Sequence, residues 1–141
     1  MIGFTHLLFA ISLTYLAGFP VLYGGVAGIT PDIDIMFNEG FPVSHRGVLH
    51  TPVTAVFASF LVYLATGRKS AGYSFFTGYA SHLFLDTFTY SGIHWLYPLK
   101  HAFSFKAVGY SSISANLGIA FLSVATAAGW KHRRKLVTWM T

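Results

Sequence analysis

Histidine and aspartate are the residues through which this chain could do chemistry. His82 and Asp86 are four residues apart, so a helix would bring an imidazole and a carboxylate together on one face. This spacing suits a metal ion. The alternative is a neutral hydrogen-bonded pair that stabilises packed helices. Three of the four acidic residues are aspartates, and six of the seven histidines lie outside the basic carboxyl-terminal tail.

Two further motifs and one single residue supply side chains of the same kinds. Asp32 and Asp34 follow a proline, where the alternative to a ligand role is an Asx-type turn or a helix cap. His45 and His50 come just before a predicted helix, where the alternative is a polar loop at the membrane surface. A lone histidine such as His6 is more often a hydrogen-bonded interior group. Taken together, seven side chains are candidate metal ligands: His6, Asp32, Asp34, His45, His50, His82 and Asp86.

This ligand set has no cysteine and therefore suits borderline cations. Imidazole favours zinc and its first-row neighbours such as manganese, whereas magnesium and calcium prefer oxygen. Seven ligands exceed one tetrahedral site, so we expect two or three divalent ions rather than one. Clustered ions activate water and stabilise a phosphoryl displacement. Arg46 and Lys100 could bind the phosphate charge, or alternatively lipid head groups.

The composition limits the kind of protein that holds these residues. Of the 141 residues, 54% are apolar and only 9% are charged, and the mean hydropathy is +0.58. Soluble domains are usually about 25% charged. We therefore exclude a soluble, disordered or nucleic-acid-binding chain. The length predicts a single domain over residues 1–141.

Long uncharged stretches indicate helices in a membrane. Positions 1–31, 47–67 and 107–130 contain no Asp, Glu, Lys or Arg, and 70–93 contains only Asp86. A membrane-crossing helix needs about 20 apolar residues. We therefore expect an all-α, polytopic transmembrane bundle of about four or five membrane helices. The predicted ranges are 4–17, 21–30, 52–65, 71–88 and 112–130.

The first uncharged stretch has two interpretations, because Gly18 and Pro20 interrupt it. Residues 4–30 form either one kinked helix or a hairpin of two short helices. We favour the hairpin, since it brings His6 to the other candidate ligands. Gly24 and Gly28 could allow close helix packing, within or between chains.

The basic residues predict an orientation. Arg68, Lys69 and the tail at 131–135 hold six of the nine lysines and arginines, and two predicted spans separate the two groups. The positive-inside rule places both groups in the cytoplasm. The loops 32–50 and 89–110 then share the opposite side, so we expect the metal site on the non-cytoplasmic side.

The motifs also carry a family resemblance between about residues 3 and 100. Thr5-His6, the segment 31–34, the segment 45–51, the segment 81–86, Thr89, Gly92 and Pro98-Leu99 occur in this order. They resemble the YdjM-like family of membrane-bound metal-dependent hydrolases, also described as LexA-binding and inner-membrane-associated. That family is distantly similar to zinc-dependent phospholipase C and the S1/P1 nucleases.

The resemblance implies an integral protein of a prokaryotic inner membrane. It implies His6, Asp32, His45, His50, His82 and Asp86 as metal ligands, with Asp34 as a ligand, an orienting residue or a general base. The chain lacks the amino-terminal Trp and the second His-x-x-x-Asp/Glu pair of the soluble enzymes, which favours two ions over three.

The expected function is a membrane-embedded phosphoesterase that cleaves a lipid or polyprenyl phosphate through a metal-activated water. Asp34, Arg46 and Lys100 are the expected catalytic residues. The expected partners are membrane lipid and a phosphorylated amphiphile, with the oligomeric state left open. The alternatives are a metal-ion transporter and a non-catalytic regulatory membrane protein that a metal stabilises.

Overall fold

The computed structural model describes residues 1–37, 46–96, 99, 103–109 and 111–140, with backbone only for 36, 37 and 132–140. The described part is helical, which agrees with the expected all-α class. Two single-residue bridges, Thr89 to Val108 and Ile93 to Phe103, connect the segments between the last two helices. The elements are α1 (Gly3–Leu16), α2 (Val21–Ile29), a 3₁₀ helix (Thr30–Phe37), a 3₁₀ turn (Val48–His50), α3 (Pro52–Thr66), α4 (Lys69–Thr87) and α5 (Ile113–Met140).

The expected bundle of four or five membrane-crossing helices is wrong. Among the described residues, one helix is long and apolar enough to cross a membrane, Ile113–Lys131 within α5. α1 and α3 are apolar but have only 14 and 15 residues, and α2 has nine. α4 has 19 residues, but its serines, threonines, His82 and Asp86 make it too polar. The absence of charged residues therefore led to an overestimate of the lengths of the apolar helices.

The orientation predicted from Arg68 and the basic tail requires two membrane spans between them. α3 and α4 do not supply these spans, so the predicted orientation loses that support.

Residues 4–30 form two helices rather than one. Gly18 ends the first of them with a φ of +76°, a left-handed conformation that suits glycine. The helices then run antiparallel, because Gly24 lies against Thr14 and Gly28 lies against Ala10. The hairpin places His6 beside the end of α2 and the 3₁₀ helix that follows it.

The ends of α3 follow from local sequence. The Thr51 hydroxyl accepts a hydrogen bond from the Thr54 N–H at 3.2 Å, and Pro52 occupies the first turn. Gly67 ends the helix in the left-handed conformation and donates its N–H to the Tyr63 carbonyl at 2.8 Å. These caps fix the position of His50, which directly precedes Thr51.

α4 is the central helix and packs against α1, α2 and α3. It approaches α2 closely, since a Cβ at Gly78 would collide with the Gly24 backbone. α5 packs against α1 and leaves most of its apolar side chains exposed. The buried apolar cluster around α4 consists of Ala27, Ala55, Phe75, Tyr79, Leu83 and Ile93.

Candidate metal centre

Six of the predicted site residues converge beside the open end of the α1–α2 hairpin. α1 contributes His6, the 3₁₀ helix contributes two aspartates, and the 3₁₀ turn before α3 contributes His50. α4 contributes a histidine and an aspartate one turn apart. The side chains are buried, except that the Asp32 side chain is 21% exposed. The full set is His6, Asp32, Asp34, His50, His82 and Asp86.

Four ligand atoms face one another at the centre of this group. His50 Nε2 and His82 Nε2 are 3.3 Å apart, and each lies 3.5 Å from Asp32 Oδ1. Asp86 Oδ2 is 3.9 Å from His50 Nε2 and 3.7 Å from His82 Nε2. Atoms about 2.0–2.2 Å from a tetrahedral zinc ion are about 3.3–3.6 Å apart. The spacing is therefore close to that of a zinc coordination shell.

The remaining ring nitrogens indicate which atoms carry protons. His82 Nδ1 is 2.8 Å from the Gly28 carbonyl oxygen, and His50 Nδ1 is 3.2 Å from Asp34 Oδ2. The Gly28 oxygen is an acceptor, so His82 Nδ1 carries the proton and His82 Nε2 presents a lone pair. His50 Nδ1 lies close to the Asp34 carboxylate but does not form a hydrogen bond with it. The 3.3 Å contact between the two Nε2 atoms is a hydrogen bond only in the His50 tautomer that carries its proton on Nε2.

The centre of the group is therefore rich in lone pairs. The His82 nitrogen and the two carboxylate oxygens repel one another unless a proton or a cation lies between them. A metal-ligating histidine usually donates its other N–H to a carbonyl or carboxylate, as His82 does to Gly28. The residues present thus fit a divalent metal ion.

His6 extends the group on one side. Its ring stacks on that of His82 with the centroids 3.8 Å apart and an interplanar angle of 19°. Its Nε2 lies 3.2 Å from Asp86 Oδ1, but neither ring nitrogen has a partner in hydrogen-bond geometry among the described residues. A fully buried imidazole without such a bond is costly, and a metal ion would supply the missing partner.

The two oxygens of Asp86 face different groups. Oδ1 lies near His6 and is 2.6 Å from the amino nitrogen of Met1. Oδ2 faces His50, His82 and, at 3.4 Å, Arg46 Nη2. This carboxylate is placed between two parts of the group and could bridge them.

Arg46 points into the protein rather than towards a free surface. It is only 7% exposed, and its backbone has a φ of +67°, which is unusual for a side-chain-bearing residue. Nη1 donates to Thr89 Oγ1 at 2.8 Å and to the Gly92 carbonyl at 2.9 Å. The Arg46 backbone N–H donates to Asp34 Oδ2 at 3.1 Å. In this position the guanidinium holds Asp86 and joins the site to the segment after α4.

The charges and protonation states of the described residues agree with the binding of a cation. Among these residues, three aspartates lie near one arginine and the Met1 amino group. Burial lowers the pKa of His82 to about 3, and the neighbouring His6 adds to this effect. Burial raises the pKa of Asp32 and Asp86, but their contacts with the histidines outweigh it and leave both values below the usual range. His82 is therefore neutral and both carboxyls are ionised at neutral pH.

Two predicted site residues, His45 and Lys100, lie outside the described residues, so their roles remain predictions. His94 is described and half-buried, and it belongs to neither potential metal-binding group found among the described residues. Those groups are His6 with Asp32 and His82, and His50 with His82 and Asp86.

Sequence reasoning missed Asn116 in α5. It is buried, and its side-chain oxygen accepts from Thr5 Oγ1 at 2.8 Å and from the Ile2 N–H at 3.0 Å. These bonds tie α5 to the turn that carries His6. The sequence does place the side-chain amide of Asn116 within an uncharged apolar stretch. This could have marked Asn116 as a contact residue, because buried polar groups in such helices need partners.

Comparison with protein families gives one match, to the YdjM inner membrane protein family over residues 1–141. The chain therefore belongs to the YdjM inner membrane protein family, as its motifs indicated. Comparison with curated proteins and with solved structures gives no significant match.

Proposed function

We propose that this protein is a metal-dependent hydrolase of the inner membrane, which cleaves a phosphoester of a membrane amphiphile with a metal-activated water. The observation that carries the proposal is the convergence of the His50 and His82 Nε2 atoms with oxygens of Asp32 and Asp86, while His82 Nδ1 is hydrogen-bonded to Gly28. Membership of an inner membrane family agrees with a lipid-like substrate.

We propose two divalent ions, zinc in preference to manganese. His82 can serve only one ion, because its Nδ1 is occupied by Gly28. That ion would take His50, His82 and Asp32 together with Asp86 Oδ2. His6 and Asp86 Oδ1 would hold a second ion. Such ions, when bound, supply positive charge that activates water and stabilises a phosphoryl group.

The protein's own residues would position these ligands and admit the substrate. Asp34 contacts His50 and the Arg46 N–H, so its position is that of an orienting residue rather than a free base. Arg46 would orient Asp86 and offset the negative charge. Asp32, the one partly exposed carboxylate of the group, marks the side from which water could enter. Lys100 stays in the proposal as a contact for phosphate.

The orientation of the one apolar helix, α5, is the basis on which we propose a side of the membrane for the site. The basic residues at 131–135 follow the apolar part of α5, so the positive-inside rule puts that end of α5 in the cytoplasm. Asn116 lies near the opposite end of α5 and bonds to Thr5, the neighbour of His6. We therefore propose that the site lies on the non-cytoplasmic side.

The test uses full-length protein in lipid nanodiscs, loaded with zinc or manganese and assayed with a panel of lipid phosphates. We expect hydrolysis that a chelator abolishes and that returned metal restores. His50→Ala should abolish it, whereas the matched change His94→Ala should not.

Two results would overturn the proposal. Metal binding without hydrolysis of any phosphoester would favour the regulatory alternative. Metal flux across sealed vesicles, lost in His50→Ala, would favour the transporter.

A further inference from the structure

An apolar cavity of about 420 Å³ lies between α1, α4 and α5. This volume is in the range of ligand pockets, about 300–1,000 Å³. None of its lining residues has a charged side chain. The polar side chains among them are two serines and a threonine, Ser12, Ser123 and Thr126. The larger apolar side chains that line it are Phe9, Leu13, Phe84, Phe88, Ile119 and Leu122.

One end of the cavity adjoins the candidate metal centre. Met1 lines the cavity, and its amino nitrogen contacts Asp86 Oδ1 at 2.6 Å. Leu85 also lines it and directly precedes Asp86 in α4. Met1 therefore contacts both the cavity and a carboxylate of the metal-binding group.

The opposite wall belongs to the helix that can cross the membrane. Ile119, Leu122 and Ser123 lie within Ile113–Lys131 of α5. The Leu122 side chain is 65% exposed, so this wall continues into an apolar surface that a bilayer would cover. A hydrocarbon chain could pass from the bilayer into the cavity without crossing water.

We propose that this cavity binds one long hydrocarbon chain of the substrate while the charged phosphate lies at the metal centre. The proposal rests on the proposed function and narrows its substrate to a phosphoester on a long chain. The metal centre and the cavity suit the two parts of such a molecule, its phosphate and its hydrocarbon chain. The metal centre with Arg46 attracts an anion, and the cavity offers only uncharged side chains to the chain.

The test compares hexadecyl and butyl esters of 4-nitrophenyl phosphate, using metal-loaded protein in nanodiscs. Hydrolysis joins a water oxygen to phosphorus and releases 4-nitrophenolate, whose absorbance is followed. We expect kcat/KM to favour the hexadecyl ester. Ser123→Phe places a ring in the cavity and should lower the hexadecyl-to-butyl ratio about tenfold.

Ser114→Phe is the matched control, because Ser114 is exposed on the same helix and does not line the cavity. It should leave the ratio unchanged. Equal kcat/KM for both esters in the unaltered protein, or a ratio that Ser123→Phe does not change, would overturn the inference.

A second measurement separates this inference from the proposed function. Metal-loaded protein is illuminated with a hexadecyl phosphate that carries a photoreactive diazirine on its chain, and the labelled peptides are mapped. Labels on α1, α4 and α5 that Ser123→Phe reduces would support the chain site even if no ester were hydrolysed. Hydrolysis without such labels would support the proposed function and overturn this inference.

Discussion

α4 and α5 are the two longest helices, and they place their side chains in opposite ways. α4 buries 12 of its 19 residues, and these include His82 and Asp86. Only 11% of the apolar part of α5 consists of buried residues, and side chains such as Phe121 and Leu122 are exposed. One helix therefore builds a polar interior, and the other presents an apolar surface.

This difference in burial indicates a different role for each helix. A water-soluble protein buries its apolar residues and exposes its polar ones, so this arrangement suits a molecule partly surrounded by hydrocarbon. Burial of charged groups costs free energy unless they are paired, and replacing them with apolar residues is often neutral or stabilising. The polar interior around α4 is therefore better explained by function than by stability. The apolar surface of α5 is explained by location.

The largest expected effect comes from removing a polar group of α4. His82→Ala removes the Nε2 ligand and should lower zinc affinity by more than about 100-fold, beyond the usual cost of losing a supporting residue. Zinc binding to purified protein by competition with a chromogenic chelator would measure this. His94→Ala should leave the affinity unchanged, and an equal loss in both variants would contradict the assignment.

A charge on α5 should act on membrane insertion instead. Phe121 is 73% exposed near the middle of the apolar segment, and Phe121→Arg should cost about 2.5–3.5 kcal/mol of insertion free energy. The inserted fraction of α5, measured by glycosylation mapping in microsomes, should fall. Phe121→Leu serves as the control. Full insertion of the arginine variant would mean that α5 is not a membrane span.

Arg46 tests how the polar interior is supported. Arg46→Lys keeps the charge but cannot contact Thr89, Gly92 and Asp86 at the same time. Metal affinity should fall about 10–100-fold, as for other residues that orient ligands. Lys106→Arg, an exchange at an exposed position, should have no effect. If the lysine variant bound zinc normally, Arg46 would not be an orienting residue.

The smallest expected effect comes from replacing one glycine in each helix, which allows the same substitution to be compared in both. Gly78→Ala in α4 places a methyl group against the Gly24 backbone and should destabilise the protein by about 1–3 kcal/mol. Gly118→Ala in α5 meets nothing within 4 Å and should be neutral or stabilise by about 0.5–1 kcal/mol. Thermal unfolding in detergent would compare them. Equal shifts would show that α2 and α4 are not in close contact.

Helix ends could be predicted from the sequence because they depend on local chemistry. Thr51 with Pro52 marks the start of α3, and Gly67 marks its end. The His82–Asp86 spacing indicated α4 as a source of candidate ligands, and the structure places these residues beside the other described candidates.

The number of membrane spans could not be predicted from the charges alone. Serine, threonine and glycine carry no charge, so the stretch that became α4 resembled an apolar span, although its polar residues are buried against neighbouring helices. The inward position of Arg46 depends on a left-handed backbone and on Thr89, 43 residues later. The role of Asn116 depends on a contact 111 residues distant. Such contacts are set by tertiary packing and leave no pattern in the local sequence.

The most direct test of the central claim is zinc K-edge X-ray absorption of the full chain in nanodiscs, with metal content measured on the same sample. We predict about two zinc ions per chain, with nitrogen and oxygen ligands near 2.0–2.2 Å and a loss of imidazole scattering in His50→Ala. A protein that binds no zinc or manganese after metal resupply, or whose bound zinc keeps the same spectrum in His50→Ala, would contradict the account.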